Sequence, residues 1–301
     1  MSLLAVGTIA FDSIETPTDS RIRIMGGSAT YFSYAAAFFA PVSLVGIVGK
    51  DWPDSYSRLL EERGIDLAGV VRDLSQDSYF WHGRYTINFQ DRETLECQLR
   101  GFDKWVPIVP EQFLRSRFVF LGAASPTVQL QTLAQCNLPE FVFADTVDMW
   151  IETAGDDLRC VLARVNCLLI NDSEARQLTS EQDLVRAGRK IQAMGPTMVV
   201  IKKGEHGSLF FHEGSIFPCP AFPTDRIVDP TGAGDSFAGA MIGYLTCQPK
   251  LDRRALLNAI HYGTVVASFT VGGFSIEGLE AIEMSDIEER RTEFRNMLGV
   301  D

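Results

Sequence analysis

Between Asp229 and Met241 the chain reads Asp-Pro-Thr-Gly-Ala-Gly-Asp-Ser-Phe-Ala-Gly-Ala-Met, which sets an anion-accepting backbone beside a carboxylate. From Phe237 the apolar positions Phe237, Ala240, Met241, Tyr244 and Leu245 recur at i, i+3, i+4, i+7 and i+8, so a helix with one buried face starts here. Gly232, Ala233 and Gly234 then fall on its first turn. Free N–H groups and the positive end of the helix dipole attract anions there, and small residues let a phosphate approach closely. A carboxylate at Asp235 would repel that phosphate unless it takes a proton from the group attacking it. Glycine and aspartate are also ordinary helix caps, but capping does not require this many of them side by side.

Two more turns carry polar groups. Asn171-Asp172-Ser173-Glu174 follows the apolar run Leu168–Ile170 with the spacing of a capping box. Lys202-Lys203-Gly204-Glu205-His206-Gly207 links the runs Met198–Ile201 and Ser208–Phe211, with Gly204 and Gly207 supplying unusual backbone angles. A solvated lysine pair fits that turn as well as a functional one. No G-x-x-x-x-G-K-[ST] phosphate loop is present. A dinucleotide G-x-G-x-x-G also fails, because its third glycine falls on Phe237 and no strand leads into the first.

The elements that must hold these groups follow from the apolar pattern. Of 301 residues 46% are hydrophobic, enough for one large α/β domain or a domain with a small appendage. Short apolar runs at Leu3–Ile9, Ser43–Val48, Phe118–Leu121, Phe141–Phe143, Leu168–Ile170 and Met198–Ile201 alternate with amphipathic segments. They suit strands of a mostly parallel sheet covered by helices on both faces. Polar residues follow several of them: Asp145, Asn171-Asp172 and Lys202-Lys203. Ligands of open α/β sheets bind outside the carboxyl ends of strands, so the active site is expected there.

One region departs from that pattern. From Tyr79 to Phe89 the odd positions are Tyr79, Trp81, Gly83, Tyr85, Ile87 and Phe89, and the parity returns in Leu95, Cys97 and Leu99 after a polar turn at Gln90–Glu93. This predicts an antiparallel hairpin with one apolar face, to which Arg21–Ile24 adds a third strand. So small a sheet is marginal alone, and its aromatic face must cover the main domain, a ligand or a partner.

The net charge of −12 argues against nucleic acid or an anionic membrane as partner, so any phosphate site must be made locally. No apolar run approaches the ~18 residues of a membrane span. The six cysteines lack a C-x-x-C pair and the four histidines lack metal-ligand spacing, as expected of a reduced cytoplasmic enzyme without zinc.

The stretch Asp229–Phe237 resembles the D-[TP]-x-G-A-G-D-x-F signature of the ribokinase/PfkB family of sugar and nucleoside kinases. The resemblance is collinear through Asp12, Gly26-Gly27, the hairpin, Asn171–Glu174, Gly204–Gly207 and Gly232–Asp235. It implies a ribokinase-like three-layer fold with a mostly parallel central sheet and a small antiparallel β lid. On that division residues 1–11, 27–75 and 102–301 form the nucleotide-binding core, and 12–26 and 76–101 the lid. It also implies transfer of the γ-phosphoryl of ATP to a hydroxyl. Asp235 would be the base, with Gly232, Ala233 and Gly234 as anion hole. Asn171 and Glu174 would hold Mg²⁺ through water, and Lys202, Lys203, Gly204, Gly207 and Asn258, with His261 nearby, would line the ATP side. Asp12, Gly26 and Gly27 would contact the acceptor. Asp229 and Thr231, with the loop Val271–Ser275, would bind a monovalent cation such as K⁺, and the lid would offer a homodimer contact.

The pattern departs from many family members at Tyr31, where an asparagine usually follows the glycine pair. A bulky phenol there changes the acceptor geometry, so Tyr31 joins the acceptor-side residues. Tyr31, Phe32, Tyr79, Phe80, Trp81 and Tyr85 supply rings that can stack on a base, which favours a nucleoside acceptor. A sugar or a cyclitol such as myo-inositol is the alternative, and a non-catalytic sensor of the same fold is the rival of another class.

Overall fold

The computed structural model describes residues 2–89 and 91–299; Met1 of the expected first strand, Gln90 of the expected turn, and the last two residues of the expected core span lie outside them. The apolar runs form strands β1 (Leu3–Val6), β2 (Ala10–Glu15), β3 (Ser20–Gly26), β4 (Val42–Gly49), β5 (Ile65–Asp73), β6 (Tyr79–Tyr85) and β7 (Arg92–Gln98). The second half adds β8 (Phe118–Leu121), β9 (Phe141–Asp145), β10 (Cys167–Asn171), β11 (Met198–Lys202), β12 (Ser208–His212) and β13 (Ser215–Cys219). The helices are α1 (Ser28–Ala36), α2 (Asp54–Glu62), α3 (Pro126–Gln135), α4 (Asp148–Thr153), α5 (Gly155–Leu162) and α6 (Asp172–Thr179). They continue as α7 (Leu184–Gln192), α8 (Ala233–Thr246), α9 (Arg253–Thr270), α10 (Glu277–Glu280) and α11 (Met284–Leu298).

A nine-stranded sheet runs β13-β12-β11-β10-β9-β8-β1-β4-β5. The strands from β11 to β5 are parallel, and β12 and β13 close the other edge as antiparallel neighbours. Successive residues of each strand enter opposite cores. Leu3, Ala5, Phe118, Phe120, Cys167 and Leu169 pack with α1, α8, α9 and α11, whereas Leu4, Val6, Val119, Leu121, Leu168 and Ile170 pack with α3, α5, α6 and α7. Each such large side chain withdrawn from water contributes about 1.5–3 kcal/mol, and burial on both faces is why these strands read as unbroken apolar runs. The result is the three-layer α/β fold. Among the described residues no helix is long and apolar enough to cross a membrane.

The second sheet has the order β3-β2-β6-β7. The β6–β7 pair is the expected antiparallel hairpin, but the third strand, β3, pairs antiparallel with β2 and not with that hairpin, and β2 and β6 run parallel. That seam is parallel because the chain passes through α1, β4, α2 and β5 between them, a crossover long enough to reset strand direction.

The β6–β7 register corrects the sequence pattern. The turn falls earlier than Gln90–Glu93, with Thr86 N–H donating to the Asp91 carbonyl at 3.0 Å, and Ile87 is 89% exposed in it. A bulge between His82 and Gly83 places Trp81 opposite Cys97 but Gly83 opposite Thr94 and Tyr85 opposite Arg92. The extra residue of a bulge inverts the parity beyond it. Thr94 and Arg92, not Leu95, therefore share a face with Trp81 and Tyr85.

Candidate active site

Strands β9, β10 and β11 are neighbours and end together, at Asp145, Asn171 and Lys202. The first turn of α8 lies against the last of them. Gly232 caps α8 with φ 75°, and a Cβ on it would meet the Tyr31 ring at 2.2 Å, so both backbone angle and space demand glycine. A Cβ on Gly234 would lie 3.0 Å from Lys202 Nζ, which puts the ammonium against the backbone of this turn. The Ala233 N–H donates to the Pro230 carbonyl at 3.2 Å, and Asp235 occupies the first turn.

Lys202 Nζ donates to Asp145 Oδ2 at 2.9 Å, with side chains 16% and 6% exposed. Thr146 N–H donates to the other Asp145 oxygen at 2.8 Å. Burial works against the Lys202 charge, but Asp145 first, then Asp235 and Glu174, hold its pKa above the ordinary value. Asp235 keeps partial access to the cleft but is enclosed by protein. This enclosure and the Asp145 charge push it up to about 7, against the pull of Lys202 and Arg92. A carboxylate near neutrality beside backbone donors and a lysine can exchange a proton with a hydroxyl at working pH.

Asn171 and Glu174 form the capping box that their spacing also allowed. Asn171 Oδ1 accepts from the Glu174 N–H at 2.8 Å, and Asn171 N–H donates to Glu174 Oε2 at 3.1 Å. Burial and Asp145 push Glu174 up to about 8. Among the described residues no group of three or more His, Cys, Asp or Glu is arranged to hold a metal ion.

Across the cleft, Asp12 on β2 is 4% exposed. Burial and Asp229 push it up to about 7, against a hydrogen bond from the Gly27 amide. Gly26 has no room for a side chain because Asp12 Oδ2 would be 1.9 Å from its Cβ. Gly27, at φ 93°, turns the chain into α1, where Ser28 N–H donates to Thr8 Oγ1 at 2.9 Å. Tyr31 is 1% exposed and its hydroxyl has no hydrogen-bond partner among the described residues; burial first, then the charges of Asp12 and Asp229, push its pKa well up. Asp229 is fully buried: Oδ1 accepts from Thr231 N–H at 2.8 Å and Oδ2 has no partner among the described residues. Burial pushes it up to about 6. Its N–H donates to the Val271 carbonyl at 3.3 Å, bringing the C-terminal loop beside it.

The small sheet touches this centre directly. Tyr85 Oη lies 3.0 Å from Thr231 Oγ1. By register, Tyr79, Trp81, Tyr85, Thr94 and Arg92 share the face of Asp12. Of the other rings, Phe32 stacks on Phe120 at 3.7 Å in the core, and Phe80 lies on the opposite face of its strand, with Arg23 nearby.

The structure thus gathers Asp12, Tyr31, Glu174, Lys202, Asp229, Thr231 and the Gly232–Asp235 turn. It does not bring Asn258 to them: Asn258 Oδ1 accepts from Arg291 of α11 at 3.2 Å. His261 packs edge-on against Phe294. Lys203 uses its N–H to close the Gly204–Gly207 turn on the Gly207 carbonyl at 2.7 Å. Two groups in the centre had no role assigned from sequence. Asp145 was visible as a polar strand end; Arg92 was hidden by the bulge.

Against known proteins, the family model for pfkB family carbohydrate kinases matches residues 21–277. A nucleoside kinase from Methanothermobacter thermautotrophicus is 31% identical over 311 residues, covering 89% of each chain. A cytidine kinase from Thermococcus kodakarensis is 29% identical over 255 residues, 83% of this chain and 90% of that one. The solved nucleoside kinase of Methanocaldococcus jannaschii, an archaeal member of the ribokinase family, superposes with a TM-score of 0.77 at 16% identity, over 97% of this chain and 98% of its own.

Proposed function

The chain belongs to the pfkB family of carbohydrate kinases, and from that premise we infer that it transfers the γ-phosphoryl group of ATP to a hydroxyl of a nucleoside. The observation that carries this reading is Asp235, a carboxyl with its pKa raised to about 7 in the first turn of α8, beside a glycine turn and Lys202. Asp235 accepts the proton of the acceptor hydroxyl as its oxygen attacks the γ-phosphorus, and the bond to the β–γ bridging oxygen breaks to release ADP. The N–H groups of Gly232, Gly234 and Asp235 meet the charge on the transferred group, the Ala233 N–H being held by the Pro230 carbonyl, and Lys202 neutralises the donor phosphates. Asn171 and Glu174 support Mg²⁺ through its waters, and the ion supplies charge neutralisation to the triphosphate.

Asp12 reads the acceptor by accepting hydrogen bonds from its hydroxyls, as an ionised carboxylate does well. Trp81, Tyr79 and Tyr85 on the same face suit a planar base, and cytidine and nucleoside kinases among the relatives support that choice over a bare sugar. The four-stranded sheet acts as the lid, and the Tyr85–Thr231 contact supports a closing role. Its outer face, with Ile22 79% exposed, serves as the homodimer contact. Potassium fits beside Asp229 Oδ2, which has no partner among the described residues. Free thiols at all six cysteines are consistent with a cytoplasmic setting.

The test is ATP-dependent ADP release with Mg²⁺, with and without K⁺, across nucleosides, pentoses, hexoses and inositols, beside Asp235→Asn. Turnover with a nucleoside that collapses in the variant is the expected result. Turnover only with a sugar or inositol would move the acceptor, and tight nucleotide binding without turnover on any acceptor would overturn the kinase reading.

A further inference from the structure

Asp51, just past the end of β4, ties the four-stranded sheet to the core at two places. Ser78, the residue before β6, gives Asp51 Oδ1 both its N–H at 2.7 Å and its hydroxyl at 2.8 Å. The Ser78 hydroxyl oxygen in turn accepts from the Gly49 N–H at 2.8 Å. A Cβ on Gly49 would lie 2.2 Å from the Ser78 nitrogen, so the two segments meet backbone to backbone. The other carboxylate oxygen, Oδ2, accepts from Arg23 of β3 at 2.6 Å. Arg23 has φ 53°, a left-handed conformation that is costly for a residue with a side chain. It sits in a bulge where Ile22 and Arg23 together face Ser13 of β2, whose hydroxyl oxygen accepts the Arg23 N–H at 3.0 Å. The Arg23 guanidinium covers the Phe11 ring at 4.4 Å, and Phe11 packs on Trp52 at 5.4 Å and Tyr56 at 6.2 Å. Alternation sets Phe11 and its register partner Phe80 on the face turned away from Asp12 and Trp81. Residues 51–56 therefore buttress the sheet from behind, at the level of Asp12.

We propose that Asp51 is a positioning residue for the acceptor: through Ser78 and Arg23 it fixes the angle at which β2 presents Asp12, and β6 presents Trp81, to the cleft. The role rests on the kinase reading, in which Asp12 accepts hydrogen bonds from the acceptor's hydroxyls. Asp12 follows Phe11 directly on β2, so a tilt of the sheet about its base carries that carboxylate with it. The ion pair itself adds little to stability, because the Arg23 and Asp51 side chains are 47% and 19% exposed. Backbone strain kept at Arg23 for so small a gain points to a geometric role. Orientation has the larger effect, since misplacing a positioned group by about 1 Å can cost roughly 10²-fold in rate. Among the described residues Asp51 makes its side-chain hydrogen bonds to Ser78 and Arg23 and none to the α8 wall, so donor binding is spared.

Asp51→Ala, Arg23→Ala and the double variant are compared with Arg159→Ala, which breaks an exposed pair with Asp156 on α5. With a nucleoside acceptor, Asp51→Ala is expected to lower kcat/KM for the acceptor by about 10- to 100-fold, with the KM for ATP within about threefold. The double variant should be no worse than Asp51→Ala, because the second change cuts a link already lost. Arg23→Lys should recover part of the loss seen in Arg23→Ala, and Arg159→Ala should match wild type. Without any ligand, amide hydrogen exchange in Asp51→Ala should quicken in β2, β3 and β6 and stay at the wild-type rate in β8–β11. An unchanged acceptor kcat/KM, equal losses for ATP and acceptor, or exchange that quickens evenly along the chain would overturn the role. If wild type itself turns over no acceptor, the kinase reading fails separately, and the exchange pattern still decides whether Asp51 holds the sheet.

Discussion

The two walls of the cleft solve the problem of buried charge in opposite ways. On the α8 wall two of the acids have a cation or a cap: Asp145 is paired with Lys202 at 2.9 Å, and Glu174 closes a capping box. On the β2 wall, Asp12, Asp229 and Tyr31 are buried together, and among the described residues no lysine or arginine forms an ion pair with them and Asp229 Oδ2 and the Tyr31 hydroxyl have no hydrogen-bond partner. The first wall is arranged to receive negative charge, the second to receive hydrogen-bond donors. Polar atoms left unpaired in the protein but aimed at a cleft are stabilised by what binds there, and until then they cost stability.

The largest test of that contrast is Asp235→Asn, which removes the base and leaves the anion turn in place. Turnover should fall by roughly 10²–10⁴ while ATP binding is retained. In wild type, kcat/KM should climb with pH through about 7 and level off above it, because the raised Asp235 carboxyl must lose its proton to act. A profile flat from pH 5.5 to 9 would remove Asp235 from that role.

Severing the paired wall comes next. Lys202→Met leaves Asp145 buried without its cation and should cost on the order of 3 kcal/mol, read as a lowered denaturation midpoint. The double variant Lys202→Met/Asp145→Asn should regain most of that stability but none of the activity. If single and double variants were equally unstable, the pair would not be what holds Lys202 in place.

On the unpaired wall the effects should be smaller and fall on the acceptor. Asp12→Asn is expected to raise the acceptor KM by roughly 10- to 100-fold, the worth of one or two charged hydrogen bonds, with the KM for ATP little changed. Equal changes in both would erase the distinction between the walls.

The smallest effect concerns stability. Asp229 is pushed up to about 6, so its proton is bound more tightly in the folded chain than in the unfolded one. That contribution is fully present below the unfolded value near 3.8 and is lost as pH rises through about 6. Asp229→Asn, which keeps an oxygen for the Thr231 N–H, should therefore melt higher than wild type at pH 8, with the difference fading toward pH 4. A difference independent of pH would assign the effect to packing instead of charge.

The α8 turn was legible because its parts are consecutive. Glycines, an aspartate and the periodicity from Phe237 onward specify a helix N-terminus by local backbone chemistry alone, and the parallel strands announced themselves by apolar runs buried on both faces. Asp145 was visible as a strand end, but its partner lies 57 residues away, and only strand order in the sheet makes β9 and β11 neighbours of β10. Asn171 and Glu174 show the reverse limit, since one spacing served capping and a metal role alike, and the structure realises the cap. The lid was legible as a hairpin and illegible in its facing, because a single bulged residue exchanges the two sides of a strand without altering composition. Local sequence thus determined the elements and the chemistry of the anion turn. Tertiary structure alone decided which charges meet across the cleft, because register and strand order are set by packing between distant segments.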